Sequence, residues 1–158
     1  MIKNLHITII LFFLLLTGCT SQRDESVNPE KANEVTFTAM QQVGKPYRYG
    51  GSSPKTGFDC SGLVDYVYRE SVGIKLPRTV KALKEIAVPT VDKDDLETGD
   101  LVIFATGRSN KPDHAGIYVG KGRFVHAPST GGKVRLDQIE DEYWERSFLI
   151  GKRPLANR

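Results

Sequence analysis

An α+β fold is the class that this sequence predicts, because helical patterns fill its first half and β-prone runs fill most of its second half. Two apolar stripes with the helical period lie at residues 31–43 and 60–72. Two β-prone runs, at residues 114–119 and 123–127, flank three residues that include two glycines, which is typical of a β-hairpin. The 158-residue length suits one globular domain, which we place at residues 32–154.

Residues 1–18 have the pattern of a secretory signal peptide. Lys3 precedes an apolar run that is too short to span a membrane comfortably, and Leu-Thr-Gly-Cys ends the segment at Cys19. This ending resembles a bacterial lipobox, which implies acylation of Cys19 and cleavage before it. Polar residues 19–31 then form a flexible tether. We expect a lipid-anchored protein of the bacterial cell envelope, on the outer membrane and facing the periplasm; an uncleaved membrane anchor is the alternative.

The charge pattern argues against nucleic-acid binding. The formal net charge is +3, and lysine and arginine are interleaved with aspartate and glutamate along the chain. A phosphate backbone requires a basic stripe or patch, which this pattern lacks. We therefore expect no nucleic-acid partner, and we expect a monomer that needs no cofactor.

The helices of the first half have recognisable ends. Gly44 and Pro46 follow the first stripe and predict its end near residue 43. Asp59 is a good N-cap for the second helix, which continues to Gly73. Thr79 can cap a third helix, whose apolar positions are Ala82, Leu83 and Ile86.

The second half is predicted to be mostly strands and turns. Residues 94–100 form an acidic turn, which we interpret as a solvated connection rather than a metal site. The other expected elements are a strand at 101–104, a loop at 106–113, a short strand near 134–135, a helical turn at 137–144 and a strand at 148–152.

Cys60 occupies the first turn of the second helix, which is a favourable position for a reactive thiol. Free backbone N–H groups and the helix dipole favour the thiolate there, so we expect a lowered pKa. With Cys19 lipidated, Cys60 has no disulfide partner in an exported protein. A buried structural cysteine is the alternative.

The hairpin register decides whether the two histidines in it meet. With residues 120–122 as the loop, Val119 faces Arg123 and Gly116 faces His126. His114 lies two residues beyond Gly116 and therefore shares a face with His126. A two-residue loop would shift the register and separate the histidines.

These three side chains fit nucleophilic attack on an amide carbonyl. Cys60 would attack, His114 would act as base and then as acid, and His126 would orient His114. Zinc binding by the same three residues is the competing use, but paired ligand spacings such as C-x-x-C are missing. We therefore predict catalysis without a metal.

Six blocks in order resemble the NlpC family of cell-wall cysteine peptidases. They are residues 47–51, 58–64, 76–78, 98–101, 113–120 and 124–127. The resemblance implies a papain-like α+β domain with N-terminal helices packed on a central antiparallel sheet. It also implies hydrolysis of amide bonds in the stem or cross-link peptides of peptidoglycan.

Carried over by position, the resemblance makes Cys60 the nucleophile, His114 the base and His126 the third member of the triad. Tyr47 matches the tyrosine that forms an oxyanion site with the Cys60 backbone N–H. Positions that match the family's substrate groove are Asp59, Ser61 and Arg78. Asp59 has the alternative role of helix cap, and Arg78 that of surface ion-pair partner.

Some features depart from the family pattern and leave the bond that is cut open. Thr79 follows the block at 76–78 where many relatives have serine, and the loop before Asp59 is longer and contains Pro54. The two candidate bonds are γ-D-glutamyl–diamino acid and D-alanyl–diaminopimelate. A catalytically silent wall-binding lipoprotein and an N-acetylmuramoyl-L-alanine amidase are the alternative functions.

Overall fold

The structure is a computed structural model that describes residues 26–157. The predicted signal peptide, Cys19 and most of the predicted tether lie outside the described residues. Within residues 26–157, no helix is both long and apolar enough to cross a bilayer.

Four α-helices and eight strands form the described part of the chain. The helices are α1 (Pro29–Gln41), α2 (Cys60–Val72), α3 (Val80–Glu85) and α4 (Glu142–Ser147). The strands are β1 (Ser52–Ser53), β2 (Gly57–Phe58), β3 (Thr90–Val91), β4 (Leu101–Phe104), β5 (His114–Gly120), β6 (Arg123–His126), β7 (Arg135–Gln138) and β8 (Phe148–Lys152). Strands β3 to β8 form one antiparallel sheet in the order β3-β8-β4-β5-β6-β7.

Caps explain where the helices begin and end. The Asn28 side chain accepts a hydrogen bond from the Lys31 backbone N–H (3.0 Å), so α1 begins at Pro29 and lies two residues earlier than predicted at both ends. Helix α2 has its predicted bounds. The Asp59 carboxylate caps its start, and Gly73 (φ 69°) ends it in the left-handed conformation.

The sheet is covered on both faces, and the α+β prediction is confirmed. One face packs against α1 and α2 in a core that contains Val35, Leu63 and Ile117, all fully buried. The opposite face carries a smaller aromatic cluster in which Trp144 of α4 packs against Phe104 and Phe124. The face of β5 and β6 that carries His114 and His126 is therefore buried.

The hairpin between β5 and β6 reaches the predicted arrangement by a different turn. Gly116 pairs with His126, as predicted, but Gly120 instead of Val119 pairs with Arg123. The loop is therefore only two residues long, and an irregularity between residues 118 and 120 absorbs the extra residue. Lys121 has a positive φ (54°), and so does the glycine after it, as a tight type I′ turn requires.

Several predicted elements need correction. The predicted helical turn at 137–144 is wrong at its start, because Asp137 belongs to strand β7 and α4 begins only at Glu142. Ile86 lies just beyond α3. The interpretation of the acidic turn as solvated is wrong for Asp100, which is fully buried in an ion pair with Arg153 (2.9 Å).

Candidate active site

The candidate nucleophile lies where α2 begins and abuts the sheet. Cys60 is the first residue of α2 and is partly buried against the main core. Its thiol contacts the backbone N–H of Ala115, the residue that follows His114 on β5. The start of α2 and the start of β5 therefore bring the candidate nucleophile and the candidate base to one place.

The expectation of a lowered pKa for Cys60 is wrong. Burial raises the pKa of the Cys60 thiol above its ordinary value, and the neighbouring Asp59 carboxylate adds to this. Hydrogen bonds from the backbone N–H groups of Ala115 and Ser61 act in the opposite direction but do not cancel the burial. The resting residue is therefore a thiol, which needs a base at the moment of attack.

The two histidines meet as the hairpin register predicts. His114 Nε2 lies 2.8 Å from His126 Nδ1, and the rings are nearly perpendicular. Gly116, directly opposite His126, leaves room for this contact, because a Cβ there would lie 2.8 Å from Phe124 Cδ2 and 3.2 Å from His126 Cβ. A glycine at this place is thus required by the close approach of side chains across the hairpin.

Asp137 extends the pair to a chain of three groups, although its role was not predicted from the sequence. Its Oδ2 lies 3.0 Å from His126 Nε2 and also accepts hydrogen bonds from Trp144 Nε1 (3.0 Å) and Arg135 Nη2 (2.8 Å). The signal that could have identified Asp137 was the alternation of side chains along β7. Arg135 pairs with His126, and Asp137 lies two residues further on the same face.

The donors around Asp137 fix the histidine tautomers. Arginine and tryptophan N–H groups can only donate, so the carboxylate accepts, and His126 Nε2 carries the proton that it donates to Asp137. Neutral His126 then has an unprotonated Nδ1, which accepts from His114 Nε2–H. The lone pair of neutral His114 consequently lies on Nδ1, which is the nitrogen left to receive a proton.

Both imidazoles are neutral at neutral pH. Burial lowers the pKa of His114 from 6.5 to about 4. Burial, followed by the nearby His114, lowers the pKa of His126 to about 3, although Asp137 acts in the opposite direction. Trp144 contributes to this dry environment, since its ring stacks on His114 with 5.4 Å between centroids and an angle of 30°.

Tyr47 lies near the nucleophile, in the segment before β1. Its backbone N–H donates to Gly132 O (2.8 Å), and a bridge joins it to Phe58, two residues before Cys60. Burial raises the pKa of Tyr47, and the next cause is Cys60, which places the two side chains within electrostatic range. The oxyanion role of Tyr47 stays a prediction.

The three predicted groove residues form one local network. The Asp59 carboxylate accepts from the Gly62 backbone N–H (2.6 Å) and pairs with Arg78 (3.3 Å), so both alternative structural roles are present. Ser61 is buried and donates to the Arg78 carbonyl (2.8 Å). This network holds the loop before α2 against the start of α3. Substrate binding by Asp59, Ser61 and Arg78 stays a prediction.

The candidate site has the groups for acyl transfer through a thiol. It combines a thiol at a helix start, a neutral imidazole with an available lone pair, and a carboxylate that stabilises positive charge on the imidazoles. Between residues 26 and 157, the structure contains no cluster of three or more His, Cys, Asp or Glu side chains suited to a metal ion.

Comparisons with known proteins agree with this chemistry. The model of the NlpC/P60 family matches residues 44–153. Murein DD-endopeptidase MepH of Escherichia coli is 44% identical over 130 residues, which cover 80% of this chain and 48% of MepH. The gamma-DL-glutamyl hydrolase of Bacillus subtilis is 40% identical over 126 residues, which cover 78% of this chain and 29% of that protein.

A solved structure has the same architecture. The crystal structure of an NlpC/P60 family protein from Bacillus cereus matches with a TM-score of 0.72 and 29% identity, over 85% of this chain and 43% of the other. The chain thus spans about half or less of the length of each of these three proteins. The region that matches the family model, residues 44–153, contains every residue of the candidate site.

Proposed function

Because this chain belongs to the NlpC/P60 family, we propose that it is a peptidoglycan endopeptidase of the cysteine-peptidase class. The observation that carries the proposal is the hydrogen-bonded chain His114–His126–Asp137, which begins next to the residue that contacts the Cys60 thiol. This order of groups prepares a neutral base to accept a thiol proton.

The reaction follows from the protonation states. His114 Nδ1 takes the thiol proton as the Cys60 sulfur attacks the carbonyl carbon, and His126 and Asp137 stabilise the resulting imidazolium. The negative oxygen accepts hydrogen bonds from the Cys60 backbone N–H and the Tyr47 hydroxyl. The imidazolium then protonates the leaving amine, and the C–N bond breaks to leave a thioester. His114 next activates a water that hydrolyses the thioester and restores the thiol.

The proposed substrate is the peptide part of peptidoglycan. Cleavage of a D-alanyl–diaminopimelate cross-link is our first candidate, because the 44% identical relative is a murein DD-endopeptidase. Cleavage of a γ-D-glutamyl–diamino acid bond is the second, because a relative with 40% identity is a gamma-DL-glutamyl hydrolase. Both reactions use the same thiol chemistry and differ in the groups that flank the scissile amide.

The test is digestion of purified muropeptides by the protein and by Cys60→Ala, followed by mass spectrometry. The proposal predicts peptide-bond products that the Cys60→Ala variant does not form. Equal product from both proteins would contradict the cysteine mechanism. Absence of any product from either would support the silent wall-binding alternative, and release of intact peptides from the sugar lactyl group would support the amidase.

The location of the protein is also part of the proposal. We infer that Cys19 is acylated and that a monomer is anchored to the outer membrane, facing the periplasm; the support is the lipobox pattern in the sequence. Fractionation of cells that express the wild-type chain or Cys19→Ser tests this. The wild-type protein should stay with the membranes, and the variant should be lost from them; equal membrane retention of both would contradict acylation.

A further inference from the structure

A pocket of about 310 Å³ opens beside His114, and its lining does not include the predicted groove residues Asp59, Ser61 and Arg78. It is lined by Thr106, His114, Pro128, Ser129, Thr130, Arg135, Tyr143 and Trp144. None of these residues except His114 was predicted to take part in function. The pocket and the candidate catalytic base therefore share a wall.

The role of His114 identifies which half of a substrate this pocket faces. In the proposed reaction, which this inference deepens, His114 protonates the departing amine, and so the leaving half must lie against its ring. A pocket that contains the His114 ring in its wall is therefore placed to receive the leaving half. The acyl half stays with Cys60.

The chemistry of the pocket selects an anionic group. Among the described residues that line the pocket, Arg135 and His114 are the two with basic side chains, and His114 is neutral. Arg135 therefore supplies the positive charge. The hydroxyls of Ser129 and Thr130 add hydrogen-bonding groups to the same wall. A guanidinium with nearby hydroxyls fits a carboxylate.

The structure also holds Arg135 in a defined orientation. Its Nε (3.0 Å) and Nη2 (2.8 Å) both bind Asp137 Oδ2, which leaves Nη1 outside this ion pair. The side chain is 40% exposed, in contrast to the fully buried His126 that it faces across β6 and β7. Asp137 thus binds both His126 and Arg135, and it fixes the position of the guanidinium relative to the two imidazoles.

We propose that this pocket binds the leaving half of the substrate and that Arg135 recognises a carboxylate on the carbon that bears the departing amine. In a D-alanyl–diaminopimelate cross-link, the amine is released from a carbon that carries a carboxylate. In a γ-D-glutamyl–diamino acid bond within a longer stem, the corresponding carbon carries an amide carbonyl. Carboxylate recognition at this position therefore favours the cross-link as substrate.

The test compares two substrates and two proteins. The substrates are a cross-linked muropeptide dimer with a free carboxylate next to the scissile amine and the same dimer with that carboxylate converted to a primary amide. We expect amidation to lower kcat/KM of the wild-type protein by about 10- to 100-fold, the effect of one charge-assisted hydrogen bond. Arg135→Gln should cut the carboxylate substrate as slowly as the amide and thus lose the preference.

The preference between substrates separates recognition from general damage. If Arg135→Gln only disturbed Asp137 and His126, both substrates would slow by the same factor and the wild-type preference would remain, which overturns the inference. Arg146→Gln is the matched control, because Arg146 is 73% exposed and pairs with Glu142 on the outside of α4. This control should keep both the rate and the preference.

The remaining outcomes distinguish this inference from the function on which it rests. Equal rates of the wild-type protein on both dimers would overturn carboxylate recognition while leaving a peptidase. Cleavage confined to the γ-D-glutamyl bond would also overturn carboxylate recognition while leaving a peptidase. If Cys60→Ala matched the wild-type protein on every substrate, the proposed function itself would fail.

Discussion

Asp137→Asn should slow the reaction without unfolding the protein, because asparagine keeps the shape of aspartate but removes the charge. In the wild-type protein, Asp137 Oδ2 lies 3.0 Å from His126 Nε2 and stabilises the positive charge that His114 acquires through His126. A hydrogen bond to a charged group contributes about 1.5–3 kcal/mol. Loss of that contribution in the transition state corresponds to a decrease in kcat of about 10- to 100-fold.

The assay is steady-state cleavage of a muropeptide, with the thermal midpoint of each variant measured in parallel. Asp141→Asn makes the same chemical change at an exposed residue whose side chain makes no capping hydrogen bond to α4, and it should leave kcat unchanged. A kcat for Asp137→Asn equal to that of the wild-type protein would refute the role of Asp137. A decrease of the same size in Asp141→Asn would refute it as well.

One change of pH and two substitutions test the burial and packing of other parts of the structure. Burial lowers the pKa of His114 from 6.5 to about 4, so the unfolded chain binds a proton at a higher pH than the folded chain does. His114 alone should therefore lower the free energy of unfolding by about 3 kcal/mol between pH 6.5 and 4, and His126, whose pKa is lowered to about 3, should add to this fall. Urea titrations should show a smaller fall in the His114→Gln, His126→Gln double variant, and an equal fall would contradict the burial. Gly116→Ala should lower stability by about 1–3 kcal/mol and reduce kcat, because its Cβ would crowd His126; unchanged values would show that the hairpin adapts. Asp100→Asn should lower stability by about 1.5–3 kcal/mol, because it removes the buried carboxylate that pairs with Arg153 and leaves the half-exposed Glu97 to balance that charge. A thermal midpoint within a degree of the wild type would contradict this.

The sequence could predict the parts of the site that depend on local pattern. The N-cap and the helical stripe place Cys60 at the start of α2, and alternation along the hairpin places His114 and His126 on one face. The hairpin prediction succeeded although the loop has two residues, because a bulge near residue 119 restores the register that the shorter loop would have shifted. Register was decided further from the turn, where both faces of the strands are buried.

What the sequence could not predict depends on contacts between distant segments. Asp100 looks like one acid in a polar turn, and only the fold shows Arg153, 53 residues later, beside it. The pKa of Cys60 was wrongly predicted, because the helix start was visible in the sequence but the burial was not. Strands β1, β2 and β3 have two residues each, which is too short for a period to show.

Asp137 combines a local spacing that was visible in the sequence with long-range contacts that were not. Its spacing from Arg135 was visible, but the expected helical turn at 137–144 concealed the alternation of β7. The single oxygen that binds His126, Arg135 and Trp144 joins three separate segments, and no local pattern specifies such a meeting point.

The most direct measurement is the mass of the protein itself during turnover. A sample mixed with excess muropeptide and quenched in acid within milliseconds to seconds should carry an adduct equal to the acyl half of the substrate. Peptide mapping should locate that adduct on Cys60, and Cys60→Ala should not form it. An adduct on another residue, or product formation by Cys60→Ala at the wild-type rate, would contradict thioester chemistry at this sulfur.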